Sequence, residues 1–348
     1  MPEHATVLIT GGAGYIGSHA VFAFQAAGYS VVVLDDLSNG RRDVVPNEVP
    51  FVHGDAGDLE LVGDLIRTHR IGAIAHFAGS IVVPESVADP LKYYRNNTST
   101  ARNLIQVSVE HGIRRFIFSS TAAVYGMPDT IPVREDTPTA PINPYGTSKL
   151  MTEWMLRDAA AAHDLEYVAL RYFNVAGADP DGRSGQSSSS ATHLIEVANQ
   201  AALGLRDHLE IFGDDYDTPD GTCIRDYIHV SDLAEAHVLA LRHLQAGGTS
   251  AIFNLGNERG FSVHEVVAAV CRVTGRRFPT RIGPRRAGDT PSLVADASAA
   301  RRVLGWQPKR CDLDTQIGDA WRWMHRRTAG RGTGPDLTAA KAAAGPLV

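Results

Sequence analysis

The stretch that decides the fold runs from Thr6 to Asp35 and reads TVLITGGAGYIGSHAVFAFQAAGYSVVVLD. Two runs rich in β-branched residues, Thr6 to Ile9 and Val31 to Leu34, are typical of buried parallel strands. Between them, Ile16 to Ala27 has the composition of a helix and stops at Gly28. A strand, a crossover helix and a second strand within about 30 residues form a β-α-β unit.

The same alternation continues along the first half of the chain. Further strands are expected at Phe51-Val52, Ala73 to Phe77, Phe116 to Ser119 and Tyr167 to Arg171, and helices at Leu59 to His69, Leu91 to Val109 and Tyr145 to His163. This order predicts an α/β fold, a Rossmann-type doubly wound parallel sheet. Beyond it, helix-like Val230 to Leu244 and Val263 to Val273 and a strand at Ile252 to Leu255 predict a smaller, mixed α/β C-terminal lobe.

Two segments have no apolar periodicity. Residues 177–190 (GADPDGRSGQSSSS) are expected to form a loop, either a short linker or a mobile loop that covers a site. Residues 328–348 consist mainly of Gly, Ala, Thr and Pro, and we expect a disordered tail there.

Composition excludes several classes of protein. The chain has 348 residues, of which 44% are hydrophobic and 21% charged, as in ordinary globular proteins. Its 33 basic and 39 acidic residues give a net charge of −6, so nucleic acid and anionic membranes are not expected as main partners. No apolar run approaches the length of a membrane span. The three cysteines are far apart and the histidines form no metal motif, so we expect a cytoplasmic protein without a metal site.

The glycine-rich turn after the first strand predicts a dinucleotide site. Gly11, Gly14 and Gly17 allow a tight turn, a close approach of backbone N–H groups to a pyrophosphate, and close packing of helix on strand. Asp35 ends the second strand, 18 residues after Gly17. A carboxylate there would accept hydrogen bonds from ribose hydroxyls and repel a 2′-phosphate, which predicts NAD as cofactor. The alternative is that the glycines only pack a helix on a strand.

A tyrosine and a lysine one helical turn apart predict acid-base chemistry. Tyr145 and Lys149 follow Asn143-Pro144 at positions i and i+4 of an expected helix, so both project from one face. A nearby ammonium, together with the positive nicotinamide ring of NAD, should lower the pKa of the tyrosine toward neutrality. The pair could then exchange a proton with a substrate hydroxyl. A solvated ion-dipole pair on the surface is the alternative.

A third member is expected at the end of a central strand, where open α/β sheets bind their ligands. The strand ends in Ser119-Ser120-Thr121. A hydroxyl at Thr121 could bond the tyrosine or a reacting sugar oxygen, although Ser119 and Ser120 compete for this role and one of the three could simply cap a turn.

The motifs together resemble one known family. TGGAGYIGSH, HFAG, FSS-x-x-x-VYG, PYG-x-SK, LRYFN, DGTCIRDYIHV and RR-x-GD occur in one order between residue 5 and about residue 325. In this they closely resemble the UDP-glucose 4-epimerases (UDP-galactose 4-epimerases), extended members of the short-chain dehydrogenase/reductase superfamily. The resemblance implies reversible 4-epimerisation of UDP-glucose and UDP-galactose through a transient 4-keto sugar with bound NAD.

The resemblance also assigns residues. The catalytic positions would be Tyr145, Lys149 and Thr121. Cofactor contacts would come from Gly11, Gly14, Tyr15, Ile16, Gly17, Asp35, Asn39, Asp55, Ala56, Phe77, Ala78, Gly79, Asn96, Ser119, Tyr145, Lys149 and Tyr172. Substrate contacts would come from Thr121, Tyr145, Asn174, His193, Leu194, Phe212, Arg225, Arg286, Asp289 and Leu293. Guanidinium groups suit a pyrophosphate, although Arg225 and Arg286 could instead form surface ion pairs.

Three positions depart from the family pattern. Many relatives have a lysine two positions after HFAG, whereas Ser80-Ile81 follows here. His193 stands where an asparagine is frequent. Leu293 replaces the bulky tyrosine of relatives restricted to unacetylated hexoses, which predicts possible use of UDP-GlcNAc and UDP-GalNAc.

Other functions remain open from the sequence. A nucleotide-sugar 4,6-dehydratase would need an Asp-Glu pair after Thr121, where Ala122-Ala123 stands. A 4-epimerase for UDP-pentoses or UDP-glucuronate and a non-catalytic NAD-binding protein are the further alternatives.

The resemblance implies domains and a partner as well. We expect an NAD-binding domain over residues 1–175 with a return segment near 226–255, and a nucleotide-sugar lobe over 176–225 and 256–327. A UDP-hexose is the expected substrate. A homodimer is expected through a pair of helices, for which Leu91 to Val109 and Leu150 to Ala161 are candidates.

Overall fold

The computed structural model describes residues 6–187, 192–286 and 289–329. Its strands are β1 (Thr6–Thr10), β2 (Val31–Asp35), β3 (Phe51–His53), β4 (Ile71–His76), β5 (Arg115–Thr121), β6 (Glu166–Tyr172), β7 (Asn174–Ala176), β8 (Leu209–Phe212), β9 (Ile224–His229), β10 (Ala251–Leu255), β11 (Gly260–Ser262), β12 (Thr280–Gly283) and β13 (Ser292–Leu293).

The helices alternate with these strands. They are α1 (Tyr15–Ala26), α2 (Leu59–His69), α3 (Val83–Ala88), α4 (Pro90–Tyr93), α5 (Thr100–Glu110), α6 (Pro144–Ala162), α7 (Leu194–Ala202), α8 (Val230–Gln245), α9 (Val263–Thr274), α10 (Ser298–Leu304) and α11 (Leu313–Ala329). Short 3-10 turns cover Arg42–Val44 and Ala122–Tyr125, and a π-helical turn covers Tyr94–Ser99.

The central sheet confirms the predicted doubly wound fold. Seven strands lie in the order β10-β6-β5-β4-β1-β2-β3, and all of their pairings are parallel. The direction in which successive strands are added reverses between β1 and β4. In sheets of this kind, ligands bind outside the carboxyl ends of the strands at that reversal.

Side chains of alternate strand residues point into two separate hydrophobic cores, one on each face of the sheet. Val7 and Ile9 of β1 belong to a cluster with Phe24 of α1 and Leu241 of α8. Leu8 points to the opposite face, into a cluster formed with α2, α5 and α6. Because side chains alternate across a strand, a continuous apolar run suits a strand that is buried on both faces.

The C-terminal part adds two smaller sheets. One contains β7, β9, β11 and β13, and the other pairs β8 with β12. Helices α7, α9 and α11 pack on a third apolar cluster that includes Ile195, Val266 and Ile317. The boundaries of the two expected domains stay a prediction.

The predicted helix from Leu91 to Val109 is present as one uninterrupted helical stretch, but it contains a π-helical turn that the sequence did not indicate. The structure has α4, then the π-helical turn at Tyr94–Ser99, and then α5. A π-helical turn inserts an extra residue and often marks a functional site. Here the insertion places Asn97, which is buried, against Ser148 of α6.

The two segments without periodicity are partly described. Residues 177–187 are held by hydrogen bonds to α1 and α11: Ser18 Oγ lies 2.6 Å from Ser184 Oγ, and Trp323 Nε1 donates to the Gln186 carbonyl at 2.9 Å. Residues 188–190 of the expected loop lie outside the described residues. The expected tail begins too early, since α11 continues through Ala329, and residues 330–348 lie outside the described residues.

The length and polarity of the helices bear on membrane insertion. In the described ranges, every helix is too short or too polar to cross a bilayer.

Candidate active site

The glycine turn joins β1 to α1 and leaves one side open. Gly11 has a φ of +73°, and a Cβ there would lie 2.5 Å from the Ala78 backbone nitrogen. A Cβ at Gly17 would collide with the Gly11 carbonyl. At Gly14, the residue before α1, a Cβ would meet only the Gly11 oxygen at 3.2 Å. Two glycines therefore permit packing, and the third leaves room at a helix N-terminus, where a pyrophosphate is favoured.

Asp35 at the end of β2 is tied to this turn. Its Oδ2 accepts from the Ala13 backbone N–H at 2.9 Å, and its Oδ1 accepts from the Leu37 N–H at 2.8 Å. Burial raises the pKa of Asp35, although both backbone hydrogen bonds favour the carboxylate. Each carboxylate oxygen can accept more than one hydrogen bond, so ribose hydroxyls fit beside these partners. The turn and this carboxylate therefore fit NAD.

Asn97 is a functional candidate that the sequence analysis missed. Its Oδ1 accepts from the Ser80 N–H at 2.7 Å, and its Nδ2 donates to the Ser80 carbonyl at 3.0 Å and to Ser148 Oγ at 2.9 Å. The amide thus clamps the segment after β4 to α6. The predicted neighbour Asn96 donates to Ser80 Oγ at 3.1 Å. A π-helical insertion has no simple sequence pattern, so spacing alone could not have placed Asn97.

The predicted Tyr145 and Lys149 do share one buried face of α6. The helix begins with Pro144 after Asn143, whose side chain accepts from the Gly146 N–H at 2.9 Å. Tyr145 and Lys149 are 9% and 3% exposed, so a surface pair is excluded. Lys149 Nζ donates to the Ser119 carbonyl at 3.0 Å. The lysine is thereby anchored to the end of β5.

Burial shifts the pKa values of both Tyr145 and Lys149. Burial raises the pKa of Tyr145 above that of free tyrosine, and a hydrogen bond with Thr121 acts in the opposite direction. Burial also lowers the pKa of Lys149 to about 8. Desolvation of the phenolate outweighs the single hydrogen bond. The expected lowering of the tyrosine pKa includes the positive nicotinamide ring of NAD, so it stays a prediction for the cofactor-bound protein.

The three hydroxyls at the end of β5 have different partners. Ser119 Oγ bonds the Tyr172 hydroxyl, Ser120 Oγ donates to Glu153 Oε1 at 2.5 Å, and Thr121 bonds Tyr145. Thr121 Oγ1 also accepts from the Ala123 N–H at 3.1 Å. Of the three candidates, Thr121 is the one whose hydroxyl acts to lower the pKa of Tyr145.

The other expected cofactor positions have less uniform surroundings. Ile16, in the first turn of α1, packs on the core, and the Tyr15 hydroxyl donates to the Gly177 carbonyl at 2.7 Å. The centroid of the Phe77 ring lies 4.6 Å from the centroid of the buried His237 ring. Ala78 and Gly79 follow Phe77 on the segment after β4. Ala56 is buried, whereas Asn39 and Asp55 are exposed.

Several expected substrate residues line one cleft. Tyr15, Asn174, His193 and Leu194 are among its walls, together with Glu196 and Tyr227, which the sequence analysis did not name. Burial lowers the pKa of His193 and raises that of Glu196 to about 7. The cleft thus joins the start of α1 to α7.

The remaining substrate candidates form a second group. Arg286 donates from Nε and Nη2 to the two oxygens of Asp289 at 3.1 and 3.0 Å, and its guanidinium lies 5.3 Å from the Phe212 ring centroid. Arg225 donates to the Thr290 carbonyl at 2.8 Å, and its Nη2 is 3.5 Å from Asp289 Oδ1. Two guanidinium groups share one carboxylate, which leaves positive charge for an anionic ligand.

Leu293 links this group to the end of β5. Its Cα is paired with that of Arg225 between β13 and β9, and its side chain packs on a cluster that contains Ala122, the residue after Thr121. A residue in this position is suited to limit the size of a sugar held between the arginines and Tyr145.

Comparison with known proteins gives a consistent family. Residues 7–256 match the model of the NAD dependent epimerase/dehydratase family. A UDP-glucose 4-epimerase of Azospirillum brasilense is 60% identical over 317 residues, which cover 91% of each chain.

Solved structures show the same similarity. UDP-glucose 4-epimerase from Brucella ovis in complex with NAD is 47% identical, with a TM-score of 0.89 over 91% of this chain and 98% of that one. The UDP-Glc/GlcNAc 4-epimerase from Campylobacter jejuni is 48% identical, with a TM-score of 0.81 over 92% of this chain and 99% of that one.

Proposed function

Because the chain belongs to the NAD dependent epimerase/dehydratase family, we propose that it interconverts UDP-glucose and UDP-galactose by epimerisation at C4. The observation that carries this proposal is the buried group formed by Thr121, Tyr145 and Lys149 at the carboxyl end of β5. The glycine turn opens at the same edge of the sheet, so a dinucleotide and a sugar can meet there.

The residues divide the work between binding and proton transfer. Backbone groups of the glycine turn and Asp35 would hold NAD, which when bound supplies the hydride acceptor and donor for C4 of the sugar. Tyr145 takes the proton of the 4-hydroxyl as C4 is oxidised to the ketone and returns it when C4 is reduced. Thr121 orients the reacting oxygen and stabilises the phenolate by its hydrogen bond. Lys149, which lies on the same face of α6 and is held by the Ser119 carbonyl, would supply positive charge to the site.

Epimerisation needs the sugar to present both faces of C4 while its nucleotide stays bound. We infer that Arg225, Arg286 and Phe212 hold the nucleotide, since guanidinium groups and an aromatic face suit a pyrophosphate and a base. Leu293 packs on an apolar cluster, and we infer that a sugar beside it is held less tightly than the nucleotide that anchors it.

The proposal is tested by proton NMR of the purified protein with UDP-galactose and no added cofactor or reductant. We expect the gluco epimer to appear until both sugars are at equilibrium. If no epimer forms even after NAD is supplied, the proposed reaction is wrong.

A second substrate class is favoured by Leu293. A leucine leaves more room than a tyrosine would, and we propose that the pocket accepts a 2-acetamido group, as in UDP-GlcNAc and UDP-GalNAc. Substituting Leu293→Tyr should lower kcat/KM for UDP-GalNAc by about a hundredfold, because one misplaced bulky group costs about 3 kcal/mol, and should leave UDP-galactose turnover within about twofold. The control is Leu293→Met, which conserves volume. Equal loss on both sugars, or negligible wild-type turnover of UDP-GalNAc, would contradict this proposal.

We also propose a homodimer formed through α4 and α6. Leu91 and Trp154 are 76% and 46% exposed, although α4 and α6 pack on each other. Introducing Leu91→Asp together with Trp154→Glu should convert the dimer into a monomer in sedimentation velocity, because charges would enter an apolar interface. Leu205→Asp, at a residue that is 57% exposed elsewhere, should leave the dimer intact. A monomeric wild-type protein, or a double variant that still dimerises, would refute this interface.

A further inference from the structure

A buried ion pair lies directly behind the catalytic tyrosine and lysine. Arg171 of β6 donates from Nε to Glu153 Oε1 at 3.0 Å and from Nη2 to Glu153 Oε2 at 2.6 Å. The two side chains are 5% and 2% exposed. Glu153 lies on α6 four residues after Lys149 and eight after Tyr145, so the three side chains follow one face of the helix.

The ion pair reaches the end of β5 through one side chain. Ser120 is fully buried, and its hydroxyl donates to Glu153 Oε1 at 2.5 Å. Its neighbours in the chain make the catalytic contacts: the Ser119 carbonyl accepts from Lys149, and Thr121 bonds Tyr145. Glu153 therefore holds the middle residue of the three that contact the site.

The far side of Arg171 is held equally firmly. Its Nη1 donates to the Tyr125 hydroxyl at 2.9 Å, and that hydroxyl donates to Asn254 Oδ1 at 2.7 Å. Asn254 Nδ2 in turn donates to the Val133 carbonyl at 2.9 Å. The guanidinium is thus anchored to the turn after β5 and to β10, which leaves the Glu153 carboxylate a single orientation.

We propose that Glu153 and Arg171 are positioning residues, which act through Ser120 to hold the end of β5 against α6 and so keep the Thr121 hydroxyl aligned with the Tyr145 phenol. The inference rests on the proposed function for its meaning in catalysis. A bidentate pair fixes direction as well as distance, which a neutral contact would not do.

The alignment has a measurable consequence. The hydrogen bond from Thr121 lowers the pKa of Tyr145, so a loosened strand end should let that pKa rise. The other ionisable groups that face the phenol are Lys149 on α6, Tyr93 on α4, whose ring centroid is 6.4 Å away, and Tyr172 on β6. Ser120→Ala alters none of these three side chains, although Lys149 and Tyr172 contact Ser119 and so share the strand end that Glu153 holds.

The test is Ser120→Ala, which removes one hydroxyl and leaves the ion pair intact. The matched control is Ser108→Ala, another fully buried serine, whose hydroxyl bonds only the Leu104 carbonyl of its own helix. In the holoenzyme, the pKa of Tyr145 is followed by the ultraviolet absorbance of the phenolate, with the same protein carrying Tyr145→Phe as blank. We expect Ser120→Ala to raise this pKa by about one unit, which reduces the phenolate fraction about tenfold at a fixed lower pH.

Kinetics give the second readout. The pH profile of kcat should move upward by the same amount in Ser120→Ala with KM unchanged, and Ser108→Ala should show neither change. Arg171→Lys, tested in parallel, keeps the charge but loses the bidentate contact and should shift the profile in the same direction.

The inference would be overturned if the pKa of Tyr145 were unchanged in both Ser120→Ala and Arg171→Lys. It would also be overturned if Ser108→Ala shifted this pKa by the same amount. The optical titration needs no substrate, so it tests the inference independently of the proposed function. A failure of the proposed function would appear as absence of turnover by the wild-type protein.

Discussion

Replacing Tyr145 with phenylalanine should lower kcat for UDP-galactose epimerisation by about a thousandfold, because general acid-base groups contribute about 10² to 10⁴. The phenol is buried, so a solvent molecule cannot readily take its place. Initial rates measured by coupled assay or NMR will check this. The amount of NAD bound per chain should not change, since the aromatic ring is kept.

Tyr29→Phe is the matched control for this loss. Tyr29 is 4% exposed, and its hydroxyl donates to Gln245 Oε1 at 2.6 Å, far along the chain from the catalytic group. Its removal should lower stability by about 1 kcal/mol and leave kcat within about twofold. A Tyr145→Phe protein that turns over at the wild-type rate would show that another group moves the proton.

Gly11→Ala should weaken NAD binding about a hundredfold. A left-handed φ costs an alanine about 1 to 2 kcal/mol, and the new Cβ would press on the Ala78 backbone, which forms the opposite wall of the turn. The backbone strain costs the free and the NAD-bound protein alike, so the expected loss, about 3 kcal/mol or about a hundredfold in Kd, comes from displacement of this wall. Titration calorimetry with NAD, and NAD content after purification, measure the change.

Gly112→Ala separates strain from collision. Gly112 has a φ of +70°, and a Cβ there would meet nothing within 4 Å. This variant carries the same backbone strain but should bind NAD normally. If both alanine variants lose NAD to the same extent, or neither does, the close approach at Gly11 is not what shapes the cofactor site.

The parallel sheet could be predicted because its strands have a recognisable local sequence pattern. Val31 to Leu34 and Thr6 to Ile9 are apolar on both faces, and they are separated by a helix and glycine signals. The helix at Leu59–His69 was predicted to the residue, since Asp58 caps it, accepting from the N–H groups of Glu60 and Leu61. Local patterns of this kind also define where a strand or helix begins and ends.

The C-terminal lobe could not be predicted in the same way. Strands β7, β8, β11, β12 and β13 contain two to four residues each, too few for a periodic pattern. Helix α11 has many charged residues. Its apolar positions, such as Ile317, can be identified as core positions only from their packing against α9. Tertiary contacts rather than local propensity define these elements.

The catalytic group was predictable in its members but not in its surroundings. Tyr145 and Lys149 stand out because their spacing puts them on one helix face. The ion pair behind them joins Glu153 to Arg171 across elements 18 residues apart in the chain, and no pattern in the sequence shows that contact. The raised pKa of Tyr145 likewise follows from burial, which only the fold reveals.

The central claim is that one site oxidises C4 of a bound sugar and reduces the same carbon from its other face. Its most direct test is incubation of the wild-type protein with UDP-galactose that carries deuterium at C4, in ordinary water, followed by NMR of the product. The account predicts UDP-glucose with the deuterium retained at C4, because the hydrogen removed from that carbon returns to it without meeting solvent. Product that has lost the deuterium to water would contradict the account.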